Sequence, residues 1–169
     1  GIAHAGYLML GILSMNKEGF ASSMFYITIY LFMNLACFYV IVLISKKGEN
    51  VKIEDLAGLS KRSPLLALLM AVGAFSLAGI PPTGGFTGKL FLLTSAFRSG
   101  HLAIVIIGAV NTVISIFYYL NLVRMSYSKE SESNEPINLS VSEKVMCYII
   151  MLIVLYMGIL PYGLLNLFK

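Results

Sequence analysis

The sequence predicts an all-α protein: a polytopic transmembrane helix bundle with one discontinuous helix, broken by proline and glycine. Three observations predict it. Of 169 residues, 58% are hydrophobic and 12% are charged, whereas a soluble domain carries about 25% charged residues. Runs without Asp, Glu, Lys or Arg cover 1–16, 19–45, 63–88, 99–123 and 145–168. Most exceed the roughly 18–20 apolar residues that read as a membrane span. One run carries two adjacent prolines among three glycines, Gly79-Ile80-Pro81-Pro82-Thr83-Gly84-Gly85. Mean hydropathy is +0.85, and a single soluble domain is excluded.

The elements follow in order, within one membrane domain over 1–169. The first span, 1–15, is short and reads as truncated. Gly1 is not an initiator Met, and no basic segment with a cleavage site precedes the apolar run, so a signal peptide is not expected. The second span, 20–45, is long enough to cross with tilt. The 46–63 connection carries Lys46, Lys47, Lys52, Lys61 and Arg62 against Glu49, Glu54 and Asp55. Its Val51, Ile53, Leu56 and Leu59 suggest a short helix lying on the membrane surface. Ser63-Pro64 is a helix start, a capping hydroxyl followed by proline at the first helical position.

The third span, 64–99, would be about 54 Å long as one helix, against a hydrocarbon core of about 30 Å. The prolines remove backbone donors and the glycines favour irregular backbone, so it is expected to break at 79–85. It then either crosses once in two halves or folds back as a re-entrant hairpin. A single crossing puts Lys and Arg at 46, 47, 52, 61, 62, 124, 129 and 144 on one side against 17, 98 and 169 on the other. A hairpin spreads them more evenly, so the positive-inside rule favours the single crossing. The same rule explains the net charge of +4 without invoking nucleic acid. It makes the 46–63 and 124–141 loops cytoplasmic and the C-terminus outer. Two further spans are expected at 101–123 and 142–161. A polar stretch separates them, and Ser140-Val141-Ser142-Glu143 has the pattern of a capping box. Pro161 and Gly163 are expected to end the last helix.

Lys89 is the one formal charge inside the spans away from their ends. It precedes Arg98 by about 13.5 Å of helix, which puts it near mid-membrane. A charge there costs about 2.5–3.5 kcal/mol on insertion scales and normally faces a polar interior or water. Snorkelling is the plain alternative, but it suits helix ends. Desolvation disfavours an ammonium relative to the free amine, so a buried lysine is suited to gaining and losing a proton. The broken loop (Gly79, Pro81, Pro82, Gly84, Gly85) fits that role, since irregular backbone at membrane depth is tolerated where it lines a cavity. A kink needed only for packing is the other reading. Polar stripes supply company for Lys89: Gly108, Asn111, Thr112, Ser115 and Tyr118 or Tyr119 on one span, and Tyr26, Tyr30, Asn34 and Cys37 on another. They serve either a water chain or interhelical hydrogen bonding. His4 is a second candidate relay, or a structural donor.

Cys37 and Cys147 read as packing residues rather than a disulfide or metal site. No Rossmann or P-loop glycine motif, CxxC pair or HExxH is present. No cofactor or metal is therefore expected on this chain.

Three stretches carry a resemblance. Ile2-Ala-His-Ala-Gly-Tyr-Leu8 comes first, followed by Glu54-Asp-Leu-Ala-Gly-Leu59 with Lys61-Arg62-Ser-Pro64. The third is Leu77-Ala-Gly-Ile-Pro-Pro-Thr-Gly-Gly-Phe-Thr-Gly-Lys-Leu-Phe91. They resemble the C-terminal third of the subunit N family of NADH–quinone oxidoreductase, the bacterial respiratory complex I. The mitochondrial ND subunit 2 and a chloroplast subunit are similar. Lysine at position 89 looks like subunit N, whereas subunit M has glutamate at the matching point. The resemblance implies an antiporter-like fold of inverted repeats, each with a broken helix, of which this chain holds one. It implies a multi-pass protein of the bacterial inner membrane that couples NADH–quinone electron transfer to proton pumping. Lys89 would carry terminal proton transfer toward the outer side. NADH, flavin, iron–sulfur clusters and quinone would belong to partner subunits, with subunits M, K and J as neighbours. The fragment itself would not be catalytic. A subunit of a multisubunit sodium/proton antiporter is the alternative. A scaffold bundle whose lysine only pairs with a neighbour is a third.

Overall fold

The computed structural model describes residues 1–45, 50–128 and 135–168, and among these it is helical with no strand. Helix α1 spans Ile2–Leu13 and α2 spans Lys17–Ile44. Asn16 starts α2 by accepting the Gly19 amide proton at 2.8 Å, an N-cap that satisfies a donor left over at the helix start. A 3₁₀ turn at Ile53–Leu56 and a short α3 at Leu59–Arg62 follow. Then come α4 (Pro64–Ala78), α5 (Gly84–Arg98), α6 (Leu102–Ser126), α7 (Val141–Ile159) and the short α8 (Tyr162–Leu165).

Three helices, α2, α6 and α7, are each long and apolar enough to cross a membrane. At 15 residues each, α4 and α5 reach only about 22 Å apiece and cannot. Together they can. Their neighbours on α2 run in strictly descending order. Gly73 lies against Ala36 and Cys37, and Ser76 against Met33. Gly84 then meets Ile29, Gly88 meets Tyr26, and Phe91 packs edge-on to Phe25. Finally Arg98 pairs with Glu18 at 3.2 Å. The two half-helices therefore make one pass, end to end and antiparallel to α2.

Both ends of the bundle are tied. At one end the Ile137 amide donates to Arg62 O at 3.0 Å, and the 3₁₀ turn packs on α6. Lys52, Lys61, Arg62, Arg124 and Lys144 belong to this end. At the other, Asn16 Nδ2 donates to Ser99 Oγ at 3.0 Å, beside Lys17 and Arg98. Lys46, Lys47, Lys129 and Lys169 lie outside the described residues.

Some local expectations change. The 50–63 segment is not one amphipathic helix, because Gly58 at φ 65° divides it. Leu56 and Leu59 insert into the core rather than lying on its outside. Ser63 and Pro64 do start α4, yet the Ser63 hydroxyl makes no capping bond. The capping box at α7 forms, with Ser140 N donating to Glu143 Oε2 at 2.7 Å. Helix α7 ends at Ile159, and Pro161 opens a further helical turn.

The core centres on α2, whose Phe25, Tyr26, Ile29, Met33 and Val40 are fully buried against α4, α5 and α7. Helix α6 is different. Among its residues only Ser115 and Ser126 are buried, while Ile107 and Phe117 are exposed. It is covered along its polar stripe and bare along its apolar one.

Candidate functional site

A polar seam runs between α1, α2, α5 and α6, and Lys89 is at its centre. The side chain is 3% exposed. Its Nζ donates to Leu77 O at 2.9 Å and to Ala78 O at 3.0 Å. These are the last two carbonyls of α4, and their availability has a local cause. Gly79 adopts φ +85°, and the chain closes a Schellman turn. The Ile80 amide donates to Phe75 O at 2.9 Å and the Gly79 amide to Ser76 O at 3.1 Å. That turn satisfies two of the four orphan carbonyls of a helix end and leaves the next two open. Lys89 takes both. Its positive charge also sits at the negative end of the α4 dipole. Ser115 Oγ reaches Ala78 O at 3.5 Å, and the ammonium lies 4.9 Å from the centre of the Tyr7 ring, within cation–π range.

Gly79 does more than turn the chain. A Cβ on it would stand 3.0 Å from Lys89 Cδ and 3.2 Å from Nζ, so the absent side chain is the space the lysine occupies. Across the break, α5 is started by Ser76, whose Oγ accepts the Gly85 amide proton at 3.0 Å. Gly85 and Gly84 are buried, and a Cβ on Gly85 would overlap the Ser76 carbonyl. Pro81 and Pro82, joined by a cis peptide, are exposed. Thr87 Oγ1 donates to Gly158 O at 2.9 Å, and Gly158 itself lies directly on the Pro82–Thr83 backbone.

The seam continues past Tyr7, whose hydroxyl donates to Gly108 O at 2.8 Å and bonds the Thr112 hydroxyl. His4, 1% exposed, is bracketed by two phenols. Its Nδ1 lies 2.7 Å from the Tyr26 hydroxyl and its Nε2 lies 2.8 Å from that of Tyr119. The Tyr30 ring lies 4.8 Å from the imidazole.

The structure thus brings Lys89, His4, Thr112, Ser115 and Tyr119 into one seam. Asn111 stands at its margin beside the Tyr7 hydroxyl, and the Tyr118 ring lies tilted against Tyr119 from the exposed side, 4.5 Å between centres. The second stripe divides. Tyr26 and Tyr30 join the seam, Asn34 folds back onto Tyr30 O at 2.7 Å, and Cys37 packs on Gly73. Tyr7 and the Leu77 and Ala78 carbonyls were not singled out from the sequence. Tyr7 was findable, since it lies one turn beyond His4 on the same face of α1. Among the described residues no group of three or more His, Cys, Asp or Glu could hold a metal ion.

The family described as NADH:quinone oxidoreductase/Mrp antiporter, TM, matches residues 1–115. This chain belongs to that family. Within it, the NADH-quinone oxidoreductase subunit N 2 of Opitutus terrae is 48% identical over 162 residues, 95% of this chain and 34% of the relative. The chain spans about a third of the length of the curated relatives it matches. A chain of respiratory complex I from Thermus thermophilus, solved with bound aureothin, superimposes with a TM-score of 0.85 at 30% identity. It covers 98% of this chain, which covers 37% of it. A chain of the Mrp complex from Dietzia sp. shares the fold, with a TM-score of 0.82 at 22% identity over 98% of this chain and 39% of its own. The resemblance to subunit N carried by residues 2–8, 54–64 and 77–91 therefore holds across nearly the whole chain.

Proposed function

We propose that this chain is the C-terminal part of a proton-translocating membrane subunit of NADH–quinone oxidoreductase, with Lys89 transferring protons toward the outer side. One observation carries the reading: an ammonium buried where a helix breaks, held by two backbone carbonyls. A carbonyl accepts from the charged amine but offers it no countercharge, so the site does not lock the lysine in one protonation state as an ion pair would. When Lys89 gives up a proton, its two remaining N–H groups just match the two α4 carbonyls, and both bonds weaken as they lose the help of the charge, so proton transfer is tied to the geometry of the break. Thr112, Ser115, Tyr119 and Asn111 supply exchangeable protons along the seam, and His4 is the second relay. Identity of 48% over 95% of the chain to a subunit N supports this over the sodium/proton antiporter, which shares the family model but whose solved likeness, at 22% identity, shows the fold alone.

The chain is multi-pass in the bacterial inner membrane, with the 46–63 and 124–141 loops cytoplasmic and the C-terminus outer. Subunits M, K and J are its neighbours. NADH, flavin, iron–sulfur clusters and quinone are held by partner subunits. The fragment alone is not catalytic.

The test is proton uptake into inverted vesicles carrying the full-length subunit in the assembled complex, normalised to NADH oxidation. Arg keeps the charge and the carbonyl bonds yet stays protonated, so Lys89→Arg and Lys89→Met should both assemble and both pump poorly. Near-normal pumping by Lys89→Arg rejects proton release from this side chain. An intact assembly that reproducibly lacks flavin and iron–sulfur absorbance would favour the antiporter.

A further inference from the structure

We propose that Tyr26 and Tyr119 are proton-carrying residues that act through His4, the three forming a directional wire that feeds the Lys89 site. This rests on the proton-transfer reading of Lys89. The geometry is unusual in one respect: a single buried imidazole spends both ring nitrogens on phenol oxygens from two other helices. Tyr26 is on α2, His4 on α1 and Tyr119 on α6, with nitrogen–oxygen distances of 2.7 Å and 2.8 Å.

A neutral imidazole has one N–H and one lone pair. One phenol must therefore donate to His4 while the other accepts from it, and the set has a direction. In the tautomer with the proton on Nδ1, the Tyr119 O–H donates to Nε2 and the Nδ1–H donates to the Tyr26 oxygen. A hop then moves one proton at every atom. Tyr119 gives its proton to Nε2 as it receives one from water. Nδ1 passes its proton to Tyr26 as Tyr26 releases its own to a water on the Lys89 side, which relays it around the Tyr7 ring to the free amine. One proton enters, one leaves, and neither a phenolate nor an imidazolium is left behind. The imidazole ends in the opposite tautomer and must reset before the next hop, which makes the wire intermittent.

Its position suits a feed. Tyr119 lies in the C-terminal half of α6, toward the end shared by the 3₁₀ turn and Arg62. Tyr26 packs against Gly88, the residue before Lys89: a Cβ there would stand 2.7 Å from the Tyr26 ring. Tyr7 fills the interval, 6.1 Å from the Tyr26 ring centre and 4.9 Å from the ammonium. The other titratable groups facing the imidazole are Tyr7, Tyr30 and Lys89 itself. A purely structural bridge would need only a donor and an acceptor in the same place.

That difference is the test, made in the full-length subunit within the assembled complex. His4→Gln keeps a donor and an acceptor but cannot pass a proton through the side chain. Tyr26→Phe and Tyr119→Phe keep the ring and remove the O–H. The wire predicts that all three assemble, oxidise NADH and lower the rate of proton uptake about a hundredfold, the low end for loss of a positioned proton donor. Wild-type uptake in His4→Gln, or in both Phe variants, overturns the wire. So does failure of the Phe variants to assemble, which would make the phenols helix ties. If Lys89→Arg is impaired while these three pump normally, the wire alone is wrong. If Lys89→Arg also pumps normally, the reading it rests on has failed.

Discussion

Replacing Gly79 with alanine perturbs two things at once, and their sizes can be worked separately. The residue sits at φ +85°, where an L side chain costs about 1–2 kcal/mol relative to glycine. The new methyl would also stand 3.0 Å from Lys89 Cδ and 3.2 Å from Nζ. The lysine can retreat only by lengthening its bonds to Leu77 O and Ala78 O. A hydrogen bond to a charged group contributes about 1.5–3 kcal/mol, so loss of one brings the total to about 2.5–5 kcal/mol. The backbone part is independent of Lys89 and the second part is not. A double-mutant cycle with Lys89→Ala therefore isolates the contact. Unfolding of the detergent-solubilised subunit by denaturant is the assay. Gly79→Ala should cost about 1–2 kcal/mol in the Lys89→Ala background, the backbone term alone, and distinctly more in the wild-type background. Equal costs in both backgrounds would show that the glycine serves the turn and not the lysine.

Two further outcomes follow from the same break. Changing Pro81 and Pro82 together to alanine should leave the break in place, since the Schellman turn at Gly79 and the Lys89 bonds already end α4. Assembly and more than half of the proton uptake should survive, and collapse of either would return the prolines to a leading role. Gly85→Ala should be far harsher, because its Cβ would overlap the Ser76 carbonyl and no flexible side chain can yield. Loss of the assembled subunit on native gels is expected, and normal assembly would mean the two half-helices can slide apart freely.

Much of the fold was legible because bilayer physics writes it plainly. Charge-free runs marked where the three long apolar helices lie, and the length of 64–99 together with Pro81 and Pro82 announced a break. Lys89 was legible for the same reason, as a charge where charges are expensive. What it touches was not. Its partners are the backbone oxygens of Leu77 and Ala78, and a main-chain atom leaves no mark in residue identity. Only the Gly79 turn, which fixes which carbonyls stay open, connects the two. Tyr26 and Tyr119 were visible as members of polar stripes, but pairing them needed the helices' rotation about their axes. That rotation is set by close contacts such as Gly73 on Ala36 and Gly88 on Tyr26, and stripe spacing alone leaves it free. The 50–63 segment shows the opposite failure: its hydrophobic spacing read as one helix, and Gly58 overrode it.

The last long helix is fastened at both ends to parts of the chain that lie far apart in sequence. Near its start, Ile137 is bonded to Arg62 at the rim of the bundle. Near its finish, Gly158 meets Thr87 and the Pro82–Thr83 backbone. Helix α7 is thus a measuring rod between the rim and the break. Its 19 residues set a span of about 28 Å, and with it the depth at which the Lys89 site is carried. One residue added to or removed from the rod would shift that depth by about 1.5 Å and turn the Gly158 end by about 100°. The second change is the graver one, because it would swing a bulkier side chain into a contact that only a glycine can make.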